Sequence, residues 1–380
     1  MKHVLRYASI SVVGLAGATL SWTGLAATAA SASPATVYVS PGGSAGAHDW
    51  SCRTAAYKSI QAAVAAAPLH GTVVVCPGTY KQSVTVNRTV NLHGERGAVI
   101  NATGKPYGVG VAASWVTVSG LTVENASDTA NMAPADGIIT AGYVNGVPKP
   151  ADHVTITGDT VKDNVGSGID LNSTSYSVAT NNYAAGNGVG INMSNDLGVA
   201  ASHNRITGNV SNDNPGGCGI ALADHTGTGV YDNVIAGNVG NDNGLGSPSA
   251  PDASAGSGII LADAGTKGGV YNNLVTGNSF SGNGHAGVAV HAHAPGLNFS
   301  GNVITGNRIG RNNLRTDSHD LKTTGIYLAD ASPLTITVVG NTIKNNYYGI
   351  FTAGKVTVKG AKFNRFINVT HRTGSYPTYP

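Results

Sequence analysis

The residues of this chain that could do chemistry are few, and they fall at matched positions. Asp224, Asp263 and Asp330 each close a Leu-Ala-Asp triplet, five residues after a glycine. His291 lies four residues after Gly287, and His285 and His293 flank it. Asp170, Asn192 and Tyr327 each stand two residues after a glycine of the same kind. If the glycines start equivalent strands in a stacked repeat, these side chains share one edge of the stack. Asp224 and Asp263 would then be about 5 Å apart, and Asp263 and Asp330 about 10 Å. Those separations bracket the roughly 5–5.5 Å and 6.5–9.5 Å carboxylate spacings of retaining and inverting glycoside hydrolysis. Stacked carboxylates also raise one pKa, which a general acid needs. A nearby His or Tyr could instead remove a proton from a uronate. We therefore take Asp224, Asp263, His291 and Asp330 as catalytic candidates. Asp170, Asn192, His293 and Tyr327 are substrate-binding candidates, with His319 and Asp320 on a loop able to close over them. The same Leu-Ala-Asp corners also suit ordinary Asx turns.

The elements that must carry these residues are visible as internal repeats. One motif is Asn, any residue, usually Ile or Val, two residues, Asn: NRITGN at 204–209, NVIAGN at 233–238, NLVTGN at 273–278, NVITGN at 302–307 and NTIKNN at 341–346. The second is Gly, then Ile or Val, one residue, then another apolar residue: GIDL at 168, GINM at 190, GIAL at 219, GIIL at 258, GVAV at 287 and GIYL at 325. The shortest Gly-to-Gly step is 22 residues. That is too short for a propeller blade of about 40. It holds short strands alternating in period two, apolar inward and Thr, Ser, Lys or Ala outward. Such a unit buries its apolar face only by stacking on the next one. Asn suits the corners, and in register it can bond the corners above and below.

Composition agrees. The 380 residues include 53 Gly and, by count, 35 Asn, with 11% charged and 41% hydrophobic residues. The wealth of Val, Ile and Thr argues against disorder. The glycines have no period of three, which excludes collagen. Net charge is +3, so no basic field exists to hold nucleic acid. Residues 1–32 read as a secretory signal peptide, with Lys2, His3 and Arg6 before an apolar stretch and Ala30-Ser31-Ala32 as the cleavage site. No later apolar run reaches the ~20 residues of a membrane span. Export permits a Cys52–Cys76 disulfide. Cys218 is left over, and no local motif fixes a His beside it.

With the NxITGN and GIxL repeats, and with YKSIQAAVAAAPLHGTVVVCPGTY at 57–80 followed by SVTVN and VNLHGE, the chain resembles the right-handed parallel β-helix proteins of the pectin lyase-like superfamily, in their NosD-like repeat branch. The resemblance implies an all-β solenoid of about ten coils over 33–372, near 50 Å long. Residues 36–80 would form a capping helix and the first strands. Ile60, Ala63, Val64 and Ala67 share one helical face. Residues 373–380 would be a disordered tail or partial cap. Insertions at 125–136, 244–257 and 313–324, with an excursion at 141–151, would wall a groove suited to an extended polysaccharide.

The resemblance further implies a secreted, monomeric lyase or glycoside hydrolase acting on a polysaccharide, or else a non-catalytic module binding a cell-wall glycan. The Asp column could hold calcium, the one cofactor it suggests. The chain departs from the family's enzymes in several places. Gly284-His285-Ala286-Gly287 only resembles the Gly-His-Gly of polygalacturonases, whose paired Asp-Asp and Arg-x-Lys are missing. Arg308, Arg311 and Arg315 do not stand beside the Asp column as calcium-dependent lyases require. Ser318-His319-Asp320 is a fragment of the epimerase motif.

Overall fold

The computed structural model describes residues 35–44, 49–130, 134–246, 256–263, 265–315 and 322–378. The leader, His319 and Asp320 lie outside them. The described residues form a right-handed parallel β-helix. One face is an eleven-stranded parallel sheet running from Gly78–Lys81 to Arg365–Ile367. Two further faces merge into one sheet because the long strands Thr324–Val339 and Tyr348–Lys359 run through both. The stacking is in register. Ile156 pairs with Ala179, Ile206, Ile235, Val275, Ile304 and Val338 in turn, and all of them are fully buried. Each such side chain contributes about 1.5–3 kcal/mol by leaving water.

The corners are held by asparagines, as expected. Three buried Asn columns run along the axis. In one of them, Asn182, Asn209, Asn238, Asn278, Asn307, Asn341 and Asn364 follow one another coil by coil. Asn238 shows the pattern. Its backbone N–H and its Nδ2 both donate to Asn278 Oδ1 at 2.9 Å, and Nδ2 also donates to Ile206 O at 2.9 Å. One side chain thus satisfies a corner N–H, a carbonyl and the next amide, none of which water reaches. The glycine before each Ile follows from this crowding. A Cβ on Gly168 would lie 2.8 Å from Asn187 Nδ2, and one on Gly190 would lie 1.7 Å from Ser211 Oγ.

The N-terminal end is capped by helix Ile60–Ala66, with Ser59 Oγ accepting the Ala62 N–H and Ile60, Ala63 and Val64 buried. The Cys52–Cys76 disulfide forms, with Cα atoms 5.5 Å apart. Cys218 is a buried thiol accepting the Ser257 N–H, and burial pushes its pKa up to about 11. At the C-terminal end, expected as a disordered tail or a partial cap, the chain forms a further strand. His371–Tyr376 is a strand pairing with Tyr348–Lys359, Thr373 opposite Ile350 and Tyr376 opposite Ala353. It takes up the ladder groups of what would otherwise be the last coil's open edge. No helix among the described residues is long and apolar enough to cross a membrane.

The column that runs from Asn182 to Asn364 is preceded by an aspartate, whose backbone N–H donates to Asn182 Oδ1. Asp159 Oδ1 accepts the Leu121 N–H at 2.8 Å, but its buried Oδ2 has no partner where an Asn would place its NH2 group. Burial pushes the Asp159 pKa up to about 7. The folded state therefore binds a proton that the unfolded chain, titrating near 3.8, has lost. Stability from this group is full below about pH 4 and falls as pH rises toward 7, by up to about 4 kcal/mol. Asp159→Asn should raise the thermal midpoint at pH 8 by several degrees and leave it nearly unchanged at pH 4. Equal shifts at both pH values in a calorimetric series would show that Asp159 does not carry this proton.

Candidate functional site

The side chains expected to act as acid and base sit differently from expectation. In strands Ile220–Asp224 and Ile259–Asp263, the Asp is the fifth residue and turns inward with Ile and Leu. Asp224 is fully buried and accepts the N–H groups of Thr226, Gly227, Gly229 and Gly269, and Asn195 Nδ2. Asp263 accepts the Gly265 N–H, and Asp330 accepts the Ser332 N–H; both are buried. These are the Asx turns. Asp224 has both oxygens occupied by backbone N–H groups, and none of Asp224, Asp263 and Asp330 lines the cavity described below. Among the described residues no group of three His, Cys, Asp or Glu is placed to hold a metal ion. Tyr327 points outward but is 1% exposed, stacked on Phe351 and packed with Ala286 and Ala329, so it offers no binding surface. The rings of His291 and His293 lie 4.2 Å apart, several coils from the residues that do converge.

Those residues start from Asp170 and Asn192. Strands Ser167–Asn172, Val189–Ser194 and Ile220–Asp224 stack in register, Asp170 beside Asn192 and Asn172 beside Ser194. Asn192 Nδ2 donates to Asp170 Oδ1 at 3.1 Å, and Ser194 Oγ lies 3.4 Å from it. Beyond the end of the second strand, Asp196 folds back over the same ground. Asn172 Nδ2 donates both to Asp170 Oδ2, at 3.2 Å, and to Asp196 Oδ2, at 2.9 Å. Ser194 Oγ also donates to Asp196 Oδ2, at 2.9 Å. A single nitrogen therefore bridges the carboxylates. The sum of its two bonds, an upper limit on the oxygen gap, falls below the roughly 6.5 Å at which inverting pairs begin.

His225 completes the set. Its Nδ1 is bonded to Asp196 Oδ1, and its backbone N–H donates to Asn195 Oδ1 at 2.8 Å. Asp224 is what places it: by gathering the N–H groups that follow, it fixes the turn on which His225 stands. Asp224 is thus a positioning residue. A cavity of about 620 Å³ opens over this cluster, lined by Asp170, Asn172, Asp196 and His225, with Ile139, Tyr143 and Leu197 as its main apolar wall.

Environment drives the two carboxylates apart. Burial, then the Asp196 charge, push Asp170 up to about 7 against its hydrogen bonds. Asp136, on the preceding coil and 3% exposed, is raised well above the carboxylate range by burial and by the charge of Asp170. Asp196 is also raised by burial, but the hydrogen bond and charge of His225 outweigh this and hold it below its ordinary value. The same bond raises His225 against its own burial. Tyr143 is raised by burial and by its neighbours Tyr107 and Asp136. The cavity thus holds a carboxylate whose acidity is strengthened by its histidine partner, facing an acid that titrates near neutrality.

The sequence repeats picked out Asp170 and Asn192 because these fall inside the Gly-Ile strands. Asp136, Asp196, Tyr107 and Tyr143 were missed. Asp196 lies in a corner, and Tyr143 in an excursion with no repeat partner. The Asn195-Asp196 and Asp224-His225 pairs at equivalent corners were the available signal. A row of aromatics also went unseen: Trp115, His153, Tyr176 and His203 stack on another corner, with centroids 3.9–5.2 Å apart. Trp115 and Tyr176 in this row are exposed.

A family model described as the right handed beta helix region matches residues 107–304 and 268–363. The chain belongs to that family. No curated protein sequence matches it. Among solved structures, the pectate lyase Pel9A superposes with a TM-score of 0.53 at 16% identity, over 87% of this chain and 78% of that one. The A-module of the mannuronan C-5 epimerase AlgE4 of Azotobacter vinelandii gives 0.54 at 19% identity, over 84% and 93%. A family 28 exopolygalacturonase of Yersinia enterocolitica gives 0.53 at 12% identity, over 92% and 79%. A lyase, an epimerase and a polygalacturonase thus share this architecture, so the fold does not select the reaction.

The ion pair makes a direct prediction. In His225→Gln, Asp196 should titrate higher than in the parent, because burial then acts with less to oppose it. Carboxyl carbon shifts followed by NMR across pH 2 to 7 would show it, and an unmoved Asp196 titration would mean that His225 does not hold its charge.

Proposed function

We propose that this protein is an exported glycoside hydrolase that cleaves a polysaccharide at the Asp170–Asp196 pair. The observation that carries this reading is the bridged pair of carboxylates, one displaced up to about 7 and the other held down. Two carboxyl groups driven apart by their surroundings are the signature of an assigned acid and an assigned anion. Asp170 donates its proton to the glycosidic oxygen as the bond to the anomeric carbon breaks. Asp196 meets the developing positive charge on that carbon, and its short spacing from Asp170 suits covalent capture with retention. Water then enters, giving its proton to Asp170 and releasing Asp196. Asn172 and Ser194 hold both groups, and His225 keeps Asp196 ionised.

Hydrolysis is favoured over elimination by the pairing itself. Two carboxyl groups bridged by one amide, one raised and one lowered, fit the acid and the nucleophile of glycoside hydrolysis. The polymer class is supported by the cleft on a solenoid face and by the pectate lyase, mannuronan epimerase and exopolygalacturonase that share the fold. Export is supported by the leader and by the Cys52–Cys76 bridge. The same reading takes the protein as a monomer with no nucleic-acid or membrane partner.

The test is a panel of acidic and neutral polysaccharides, following reducing ends and the ultraviolet absorbance of unsaturated uronates together. Reducing ends without absorbance are expected. Asp170→Asn and Asp196→Asn should each lower kcat by about 10²–10⁴. Activity should fall as pH rises through about 7, where Asp170 loses the proton it must donate. Absorbance growing with reducing ends would make the enzyme a lyase. Silence with retained binding to one polymer would make the protein a glycan-binding module.

A further inference from the structure

We infer that the hairpin Ala141–Pro150 closes the cleft on its N-terminal side, so that the site receives the end of a glycan chain and acts from there inward. This rests on the hydrolytic reading of the site for its chemistry, but its geometry is separate. The chain leaves the site face at Thr140 and forms the antiparallel pair Ala141–Val144 and Val147–Pro150. Asn145 and Gly146, both at positive φ, make the two-residue turn, a combination suited to tight hairpins. The base is tied by the Ala151 N–H donating to Thr140 O at 3.0 Å.

The hairpin folds back along the solenoid rather than out into solvent. Gly142 rests directly on Gly110 of the preceding coil: a Cβ on Gly110 would come within 2.8 Å of Gly142 Cα, and one on Gly142 within 2.6 Å of Gly110 backbone. Any side chain at either position would lift the hairpin off. Tyr143 stacks on Tyr107 with centroids 5.8 Å apart, and its N–H donates to the Tyr107 hydroxyl at 3.2 Å. Thr85 Oγ, one coil further back, lies 2.7 Å from the same hydroxyl. The outer face of the two coils N-terminal to the site is therefore covered.

The site stands next to this barrier. Asp170 pairs in register with Ile139, which is 3% exposed. On that side the cleft ends against Tyr143 and Pro148, one coil away, about 4.8 Å. That is room on the order of one sugar ring. On the other side the same column continues through Asn192, Ala221 and Ile260, all partly open to solvent, for three coils before Ala289 is buried. A polymer can extend in that direction only. Bonds broken at Asp170 and Asp196 would then release short products from a terminus.

The experiment uses the full chain with polygalacturonate, alginate and a linear neutral glucan as probes, and compares viscosity loss with bonds broken while sizing the products. The expected result is one short product from the earliest times, with little viscosity loss. Two variants test the hairpin: one with 142–149 replaced by Gly-Gly, and the double change Tyr143→Ala with Pro148→Gly should the first not fold. Either folded variant should lose several-fold more viscosity per bond broken and release longer products. Early release of mixed sizes by the parent, or an unchanged product pattern in a folded variant, would overturn the inference. Short products carrying ultraviolet absorbance would uphold the closed end while sinking the hydrolytic reading. If no probe is cleaved, that reading fails, and binding of size-graded oligomers decides the geometry. Affinity that levels off at short length in the parent but grows with length in the hairpin variants upholds it. Affinity growing with length in both, or no binding at all, overturns it.

Discussion

Everything in this molecule depends on the register of one coil on the next, and buried asparagine holds that register. A parallel solenoid must turn its backbone at every corner, where strand pairing cannot satisfy all N–H and C=O groups. Asn carries a donor and an acceptor on a side chain short enough to serve both its own corner and the next. Asn238, bonded to Asn278 ahead and to Ile206 behind, joins three coils through one amide. Slipping by one residue would leave buried polar groups unpaired at about 1–3 kcal/mol each, and would turn the Ile column outward. The ladder thus specifies the stack as much as it stabilises it.

The site exploits the same regularity by departing from it. Where Asp170 and Asn172 replace the small or apolar outward residues of later coils, neighbouring strands bring Asn192 and Ser194 alongside without any loop having to find them. The corner following each strand then supplies a second layer, with Asp196 from one coil and His225 from the next. Asp224 links structure to site. Its carboxylate is used up in closing a turn, and the consequence is a histidine fixed against Asp196. Removing Asp224 would therefore be felt in the charge of Asp196 as well as in stability.

Asp159 and Asp170 show how one fold uses burial in two ways. Both are carboxyl groups pushed to about 7 by leaving water. Asp159 sits in an asparagine's place, buried, with an oxygen that has no partner. Asp170 is surrounded by donors and opens onto a cavity beside an ionised partner. The shift is the same, and the surroundings decide whether it is a matter of stability or of chemistry.

Sequence alone determined the stacked repeats, because these rest on local periodicity and on residue types with few other uses; resemblance to known β-helix proteins named the fold, and export permitted the Cys52–Cys76 bridge. Asn at fixed intervals, Gly before Ile and alternating apolar residues leave little freedom. It also located Asp170 and Asn192, which lie inside the repeating strands. It could not tell that the fifth residue of each strand turns inward, so Asp224, Asp263 and Asp330 looked like an open acidic row rather than three closed turns. Nor could it place Asp196, His225 and Tyr143, which belong to corners and an excursion where the period lapses. Their positions are set by which N–H groups a neighbouring coil leaves unpaired and by two glycines, Gly110 and Gly142, meeting face to face. Those are relations between residues distant in sequence, and only the stacked structure brings them together.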